Sequence, residues 1–223
     1  MQIILASASP RRLGLLRQVG IEPLVLPADI DENIPETDPA EKVKKLSLLK
    51  AKAVNRNMDA VDLSSEKGSG AAKDVFKEAV ILAADTVVTI DSTILGKPES
   101  HAEAYEMISR LAGRKHEVYT GVTLLRRNSV RTSGRPDRQA ADGTQEPEAS
   151  TFAVKTTVEV GPMTDEEIRS YADSAEPMDK AGAYGIQGSF ARYIRAIEGD
   201  YYNVVGLPLY ETMQHLKEMC YNS

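Results

Sequence analysis

Ala79-Val80-Ile81-Leu82-Ala83-Ala84-Asp85-Thr86 is the most apolar run of the 223-residue chain, and it stops on a carboxylate. A short, wholly apolar run bounded by polar residues is the pattern of a strand buried on both faces. The reading predicts a central strand that ends at Asp85-Thr86. In α/β sheets, ligands gather at the carboxyl ends of such strands. Val87 to Ile90 and Ile94-Leu95 then read as a continuing strand or a hairpin, closed by Gly96-Lys97-Pro98.

Toward the N-terminus, Ile3 to Ala6 is a second buried strand, and Ser7-Ala8-Ser9-Pro10-Arg11-Arg12 follows it. Ser9 suits an N-cap and Pro10 the first helical position. Leu13, Leu16 and Val19 recur at helical spacing, and Gly20 stops the helix. Pro23 to Pro27 reads as a short strand and Asp29-Ile30-Asp31-Glu32 as an acidic loop. Asp38-Pro39-Ala40-Glu41 opens a helix expected to reach about Asn57, with Val43, Leu46, Lys50 and Ala53 on one stripe. Residues 58–78 are rich in Ser, Gly, Asp and Lys and read as a surface insertion.

Toward the C-terminus, Ser100-His101-Ala102-Glu103 caps a helix to about Leu111, and Glu117 to Leu125 is a strand. Residues 126–149 form a polar stretch with several Gly, Pro, Arg and Asp residues, read as a second insertion. Phe152, Val154, Thr156, Val158 and Val160 alternate as in a half-buried strand. Thr164 to Glu167 starts a short helix to about Ala172, a strand lies near Tyr193 to Ile197, and Pro208 opens a final helix carrying Leu209, Met213, Leu216 and Met219. Helices and strands alternate without an internal repeat. The fold class is α/β with a mixed sheet, and residues 1–223 form a single domain with insertions at about 58–78 and 126–149.

The bulk numbers exclude several classes. A net charge of −6 and a pI of about 5.2 argue against a general nucleic-acid or membrane surface, but not against a small anion in a local basic pocket. The one cysteine, Cys220, forms no internal disulfide, and no cluster has zinc-ligand spacing. There is no signal peptide and no run of about 18 apolar residues, so no membrane span and a cytoplasmic location are expected.

Six features carry chemistry. The turn from Ser7 to Arg12 joins a helix N-terminus to two serines and two arginines, a combination suited to phosphate; the plainer alternative is an N-cap with solvated arginines. Asp85 can hold a metal, act as a base or simply cap a turn. Glu32 matters only if it converges with Asp85, because two carboxylates plus substrate phosphates are the usual way to hold Mg²⁺. Lys50 on an apolar stripe either snorkels to water or is aimed inward. Lys97 is fixed between Gly96 and Pro98. Finally, Glu176-Pro-Met-Asp-Lys-Ala-Gly-Ala-Tyr-Gly-Ile-Gln-Gly188 places glycines at 182, 185 and 188 around Lys180 and Gln187. It reads as a loop whose glycines let the backbone close on a polar ligand. His116 reads as a structural hydrogen-bonding group. The chain has neither a P-loop nor a dinucleotide fingerprint. This inventory matches metal-assisted chemistry on a polyphosphate.

The segments SASPRR (7–12), DIDE (29–32), ADTVV (84–88), LGKP (95–98), HEVYTG (116–121), EPMDKAGAYGIQG (176–188) and IEGDYYNVVGLP (197–208) together resemble the Maf-type nucleoside triphosphate pyrophosphatases. The resemblance spans nearly the whole chain outside the two insertions. It implies an inosine-triphosphate-pyrophosphatase-like fold, with an elongated mixed sheet and two lobes around a cleft. It also implies hydrolysis of a nucleoside triphosphate to monophosphate and pyrophosphate with Mg²⁺ or Mn²⁺, and it is compatible with a homodimer. The family's proton acceptor falls on Asp85, its phosphate contacts on Ser7, Arg11, Arg12, Lys50, Lys97 and Lys180, and an acidic position near the metal on Glu32. The branch acting on dTTP and UTP is marked by an Arg, a Thr and a Gln, which fall on Arg12, Thr86 and Gln187. A glutamine amide both donates and accepts, matching the edge of uracil or thymine. Rival expectations are a purine or 7-methyl-GTP substrate, and a nucleotide-binding regulator of cell division without turnover. The chain departs from the family pattern at Gly14 and Leu49, neither in the chemical set.

Overall fold

The computed structural model describes residues 2–64, 79–127 and 148–221. In chain order the elements are β1 (Ile3–Leu5), α1 (Pro10–Gln18), β2 (Leu24–Val25), α2 (Pro39–Ser64), β3 (Val80–Ile90), β4 (Thr93–Leu95), α3 (His101–Leu111), β5 (Lys115–Arg126), β6 (Ala149–Val160), α4 (Asp165–Ala172), β7 (Ile194–Glu198), α5 (Tyr201–Val205) and α6 (Leu209–Tyr221). The seven strands form one mixed sheet in the order β2-β1-β3-β5-β6-β7, with β4 paired to β3. The expected α/β class with a mixed sheet flanked by helices is what the chain adopts.

β3 is the axis of the molecule, and both alternatives for Val87 to Ile90 are realised: the strand continues past Asp85-Thr86 and then turns into a hairpin with β4. It runs eleven residues, through Asp85 and Thr86 to Ile90, and pairs antiparallel with β5 from Val80–Arg126 to Thr89–Glu117. Thr86, Val87, Val88 and Thr89 are β-branched, which favours strand, and no turn residue intervenes before Asp91. Asp91 and Ser92 then take φ of 51° and 61°, the left-handed turn that folds β4 back.

The other edge of β3 is filled only at its two ends. β1 pairs parallel with Val80 to Leu82, and β4 pairs antiparallel with Val88 to Ile90. Among the described residues, no strand pairs with 83–87 on that side. This break in the sheet edge is the floor of a cleft. It separates two groups of core residues: Leu5, Leu16, Leu82 and Leu207 with Ile4, Val54 and Ile81 at the β1 end, and Val88, Leu95, Ile108, Tyr184 and Phe190 at the β4 end.

α2 crosses the sheet at Gly121, the residue opposite Asp85 on β5. A Cβ at Gly121 would lie 2.3 Å from the Val43 carbonyl carbon, so only glycine allows the helix backbone this close. The helix also runs past the expected end at Asn57 to Ser64, because Met58 to Leu63 contains no glycine or proline to stop it. The first proposed insertion therefore begins inside α2, and residues 65–78 lie outside those described. The second is bounded by strand on both sides, since β5 reaches Arg126 and β6 starts at Ala149; residues 128–147 lie outside those described.

The helix starts read at Pro10, His101 and Asp165 fall where expected, but of the three only the α4 cap is complete. Gly113 follows α3 at φ 72°, and the Thr164–Glu167 capping box is complete. At Ser100 the box is half made: its hydroxyl accepts from the Glu103 amide, while the Glu103 carboxylate accepts from the Glu99 amide. α5, five residues capped by Asp200 and closed by Gly206 at φ 119°, was not anticipated, being too short to show a helical period. Among the described residues no helix is long and apolar enough to cross a membrane.

Candidate active site

The cleft, about 830 Å³, is lined by Ser7, Arg11, Arg12, Glu32, Lys50, Asp85, Thr86, Lys97, Lys180 and Gln187. Every residue assigned to the chemistry from the sequence thus borders one cavity, though they come from six segments of the chain.

At its floor, strand alternation sends Asp85 and Thr86 to opposite faces of β3. On the α2 face, Lys50 Nζ donates to Asp85 Oδ1 at 2.6 Å and lies 2.7 Å from Glu32 Oε1. Lys50 and Asp85 are both buried, so Lys50 does not snorkel to water. One ammonium bridges two carboxylates, which gives the buried Asp85 side chain a paired partner beside an apolar helix stripe. Desolvation pushes the Glu32 carboxyl up, but the Lys50 hydrogen bond and the charges of Lys50, Lys97 and Arg12 outweigh it and hold Glu32 below its ordinary value.

On the opposite face, the Arg12 guanidinium is a tie between segments. Nε donates to the Gly206 carbonyl at 2.8 Å, one terminal nitrogen to Ser7 Oγ at 3.1 Å, and the other to Thr86 Oγ1 at 3.1 Å. Thr86 shares a hydrogen bond with Thr120, whose hydroxyl donates to the Asn203 carbonyl. Burial lowers the Arg12 pKa from its high ordinary value, only partly offset by Asp85. Any phosphate contact from Arg12 must use the N–H groups this network leaves over. Ser9, the N-cap, makes no side-chain cap; its amide donates instead to Ser7 Oγ at 3.2 Å.

The wall opposite α1 is the glycine loop, and here the sequence reading needs correction. Its glycines make room for the chain's own side chains, and Gly185 also borders the cleft. Gly182, at φ 67°, would place a Cβ 2.8 Å from Val88; at Gly185 a Cβ would meet Lys180 Cε at 2.6 Å; at Gly188 it would meet a Glu176 oxygen at 1.9 Å. Lys180 is turned by this packing to donate to the Glu176 carbonyl at 2.5 Å and to Asp179 Oδ1 at 2.6 Å. Asp179 also accepts from Arg11 at 3.1 Å, joining the loop to α1. Desolvation raises the Asp179 carboxyl, but Lys180 and Arg11 together hold it below its ordinary value. Gln187 is exposed in the cleft, and Lys97 is exposed on the rim after β4.

Four contributors had no role legible in the sequence. Gly121 sets the approach of α2, Asp179, read only as a charge beside Lys180, pairs with two cleft cations, Glu176 anchors the loop, and Asn203 braces Thr120. Asn203 and Gly121 lie inside segments that carried the family resemblance, but their roles are packing roles with no local signature. His116 is buried, with Nε2 2.7 Å from Tyr184 Oη, and burial lowers its pKa to about 4. It supports the loop from beneath, in keeping with the structural reading.

Glu32 and Asp85 suit a divalent cation in one respect: both direct an oxygen at a single cationic point, now the Lys50 ammonium. Among the described residues no third His, Cys, Asp or Glu joins them. The protein therefore offers two oxygen ligands, which fits a hard cation completed by substrate phosphates and water.

The model of the Maf family, described as Maf-like protein, matches residues 2–219. The chain belongs to the Maf family. A relative from Symbiobacterium thermophilum is 43% identical over 99% of this chain and 95% of its own length. One from Carboxydothermus hydrogenoformans is 42% identical over 99% of this chain and all of its own. One from Bacillus cereus is 38% identical over 97% of this chain and 95% of its own. All three are named dTTP/UTP pyrophosphatase. In this Maf protein the matched span crosses both lobes and the whole cleft.

Proposed function

We propose that this Maf protein hydrolyses nucleoside triphosphates, dTTP and UTP foremost, to the monophosphate and pyrophosphate. The observation that carries the reading is the Asp85–Lys50–Glu32 cluster at the floor of a cleft whose walls present Arg11, Lys97 and Lys180. A carboxylate held beside fixed cations is the arrangement that hydrolysis of a phosphoanhydride requires. The full-length relatives named dTTP/UTP pyrophosphatase supply the substrate.

The triphosphate lies along the Ser7–Arg12 turn, where amides at the start of α1 and the hydroxyl of Ser7 face it, with Arg11, Lys97 and Lys180 neutralising its charge. Binding requires Arg11 and Lys180 to exchange Asp179 for phosphate oxygens. Asp85 takes the proton from the water that attacks the α-phosphorus, and Lys50, 2.6 Å from its Oδ1, fixes that carboxylate in direction. The cations stabilise negative charge as pyrophosphate departs. Glu32 and Asp85 would hold Mg²⁺ or Mn²⁺, which when bound supplies further neutralisation of the phosphates. Gln187 reads the O/N–H edge of uracil or thymine, and the Arg12–Thr86 tie holds the β1–α1 turn in register with β3. The substrate class and the single thiol favour a cytoplasmic protein, and a homodimer is the assembly we expect.

The test is pyrophosphate release across a nucleotide panel with Mg²⁺ and with Mn²⁺. dTTP and UTP should lead, with dCTP, GTP and 7-methyl-GTP behind. A purine nucleotide in first place overturns the pyrimidine assignment. Tight UTP binding without pyrophosphate release overturns the enzymatic one.

A further inference from the structure

Glu176 lies outside the set that the cleft chemistry uses, yet its carboxylate ties the two flanks of the glycine loop together. Its carboxylate accepts from Tyr171 Oη at 3.1 Å, and from the Ser189 amide and hydroxyl at 2.9 and 2.7 Å. Its own carbonyl accepts from Lys180 Nζ at 2.5 Å, and its amide donates to Ser174 Oγ at 3.3 Å. The carboxylate also fills the volume that a side chain at 188 would need, with an oxygen 1.9 Å from the ideal Cβ position of Gly188. The segment is therefore fastened at both ends by one residue. Its backbone carbonyl aims Lys180, and its carboxylate pins residues 188–190. Between the two points lie Gly185, Ile186 and Gln187, all bordering the cleft.

We propose that Glu176 is a positioning residue for nucleotide binding, holding Lys180 and Gln187 at the cleft by clamping both ends of the loop between them. The proposal rests on the reading that Lys180 and Gln187 contact the nucleotide. Glu176 need not touch substrate. Desolvation raises its carboxyl, but the hydrogen bonds from Ser189, Tyr171 and the Phe190 amide outweigh it and hold it below its ordinary value. The clamp is therefore ionised through the neutral pH range, and its hydrogen bonds are charge-assisted.

Glu176→Gln is the informative variant, because it keeps the volume against Gly188 and an oxygen for Ser189 while removing the charge. Glu176→Asp keeps the charge but withdraws it from Ser189. In Glu176→Gln the KM for UTP should rise about tenfold with kcat held within about twofold, the signature of lost binding without lost chemistry. Amide exchange at residues 187–190 should accelerate, while exchange in β3 and β5 stays as in wild type. Glu176→Asp should share the KM defect. An unchanged KM with a lowered Tm makes Glu176 a structural residue only and overturns the proposal. An equal fall of kcat at unchanged KM also overturns it. Should wild-type protein release no pyrophosphate from any nucleotide, the activity reading fails on its own. The clamp is then judged by calorimetric UTP affinity and by exchange at 187–190, and no change in either overturns it.

Discussion

Replacing Asp85 with Asn separates the two tasks assigned to this carboxylate, because the structure predicts very different sizes for them. Asp85 Oδ1 accepts from Lys50 at 2.6 Å, and Lys50 keeps Glu32 at 2.7 Å whether or not Asp85 is charged. An asparagine oxygen can take the same hydrogen bond, so no ammonium is stranded. The loss to the fold is the difference between a charged and a neutral acceptor, about 1–2 kcal/mol. For a chain of this size that is a fall in Tm of about 2–8 °C. The loss to catalysis is that of a general base, about 10²- to 10⁴-fold in kcat. UTP affinity measured without divalent cation should be nearly unchanged or slightly improved, since one negative charge leaves a site that receives a polyanion. The measurements are pyrophosphate release at saturating UTP, calorimetric UTP binding and urea unfolding on the same preparation. A kcat within about tenfold of wild type refutes the role of base. A fall in kcat matched by an equal fall in UTP affinity refutes it too, and makes Asp85 a binding group.

Gly121→Ala should be among the most damaging single changes, because the new Cβ would sit 2.3 Å from the backbone of Val43 and neither α2 nor β5 can yield cheaply. We expect a loss of about 4 kcal/mol or more, read as insoluble or urea-sensitive protein, and near-normal stability would contradict the packing described. His116 has a folded pKa of about 4 against an ordinary 6.5, so between those values the unfolded chain binds the extra proton. Stability should therefore fall by about 3 kcal/mol as pH drops from 6.5 to 4, and His116→Gln should flatten that part of the urea-midpoint profile. Asp179→Asn frees Arg11 and Lys180 from a carboxylate that the triphosphate must displace, and should lower the KM for UTP several-fold at low ionic strength, less so in high salt. A raised KM in that variant would show that Asp179 orients the two cations rather than competing for them.

The elements most legible in the sequence were those with local punctuation. Ser9-Pro10 opened α1, Gly113 closed α3, and the capping box at Thr164 opened α4, each through a backbone requirement satisfied within a few residues. Asp85 left the end of its strand open between a continuing strand and a hairpin, because a polar residue ends a buried strand only if nothing answers it. Lys50 on α2 answers Asp85, and Arg12 on α1 answers Thr86. The glycine loop misled for a related reason. Glycine spacing shows that something approaches closely, and here Val88, Lys180 and Glu176 do so from within the chain. Asp179 was seen only as a charge beside Lys180, since its link to Arg11 spans 168 positions.

The chemical inventory of the cleft, the α/β alternation and the segments shared with the Maf family were therefore determined by the sequence alone, because residue type and short spacing carry them. What only the tertiary structure decided is how that inventory is paired. The break in the edge of β3 between β1 and β4 turns mid-strand residues into a cleft floor. The clearance at Gly121 brings α2 close enough for one ammonium to serve both Asp85 and Glu32. Those outcomes depend on distances between segments far apart in the chain, and such distances are set by packing, which no local pattern of residues encodes.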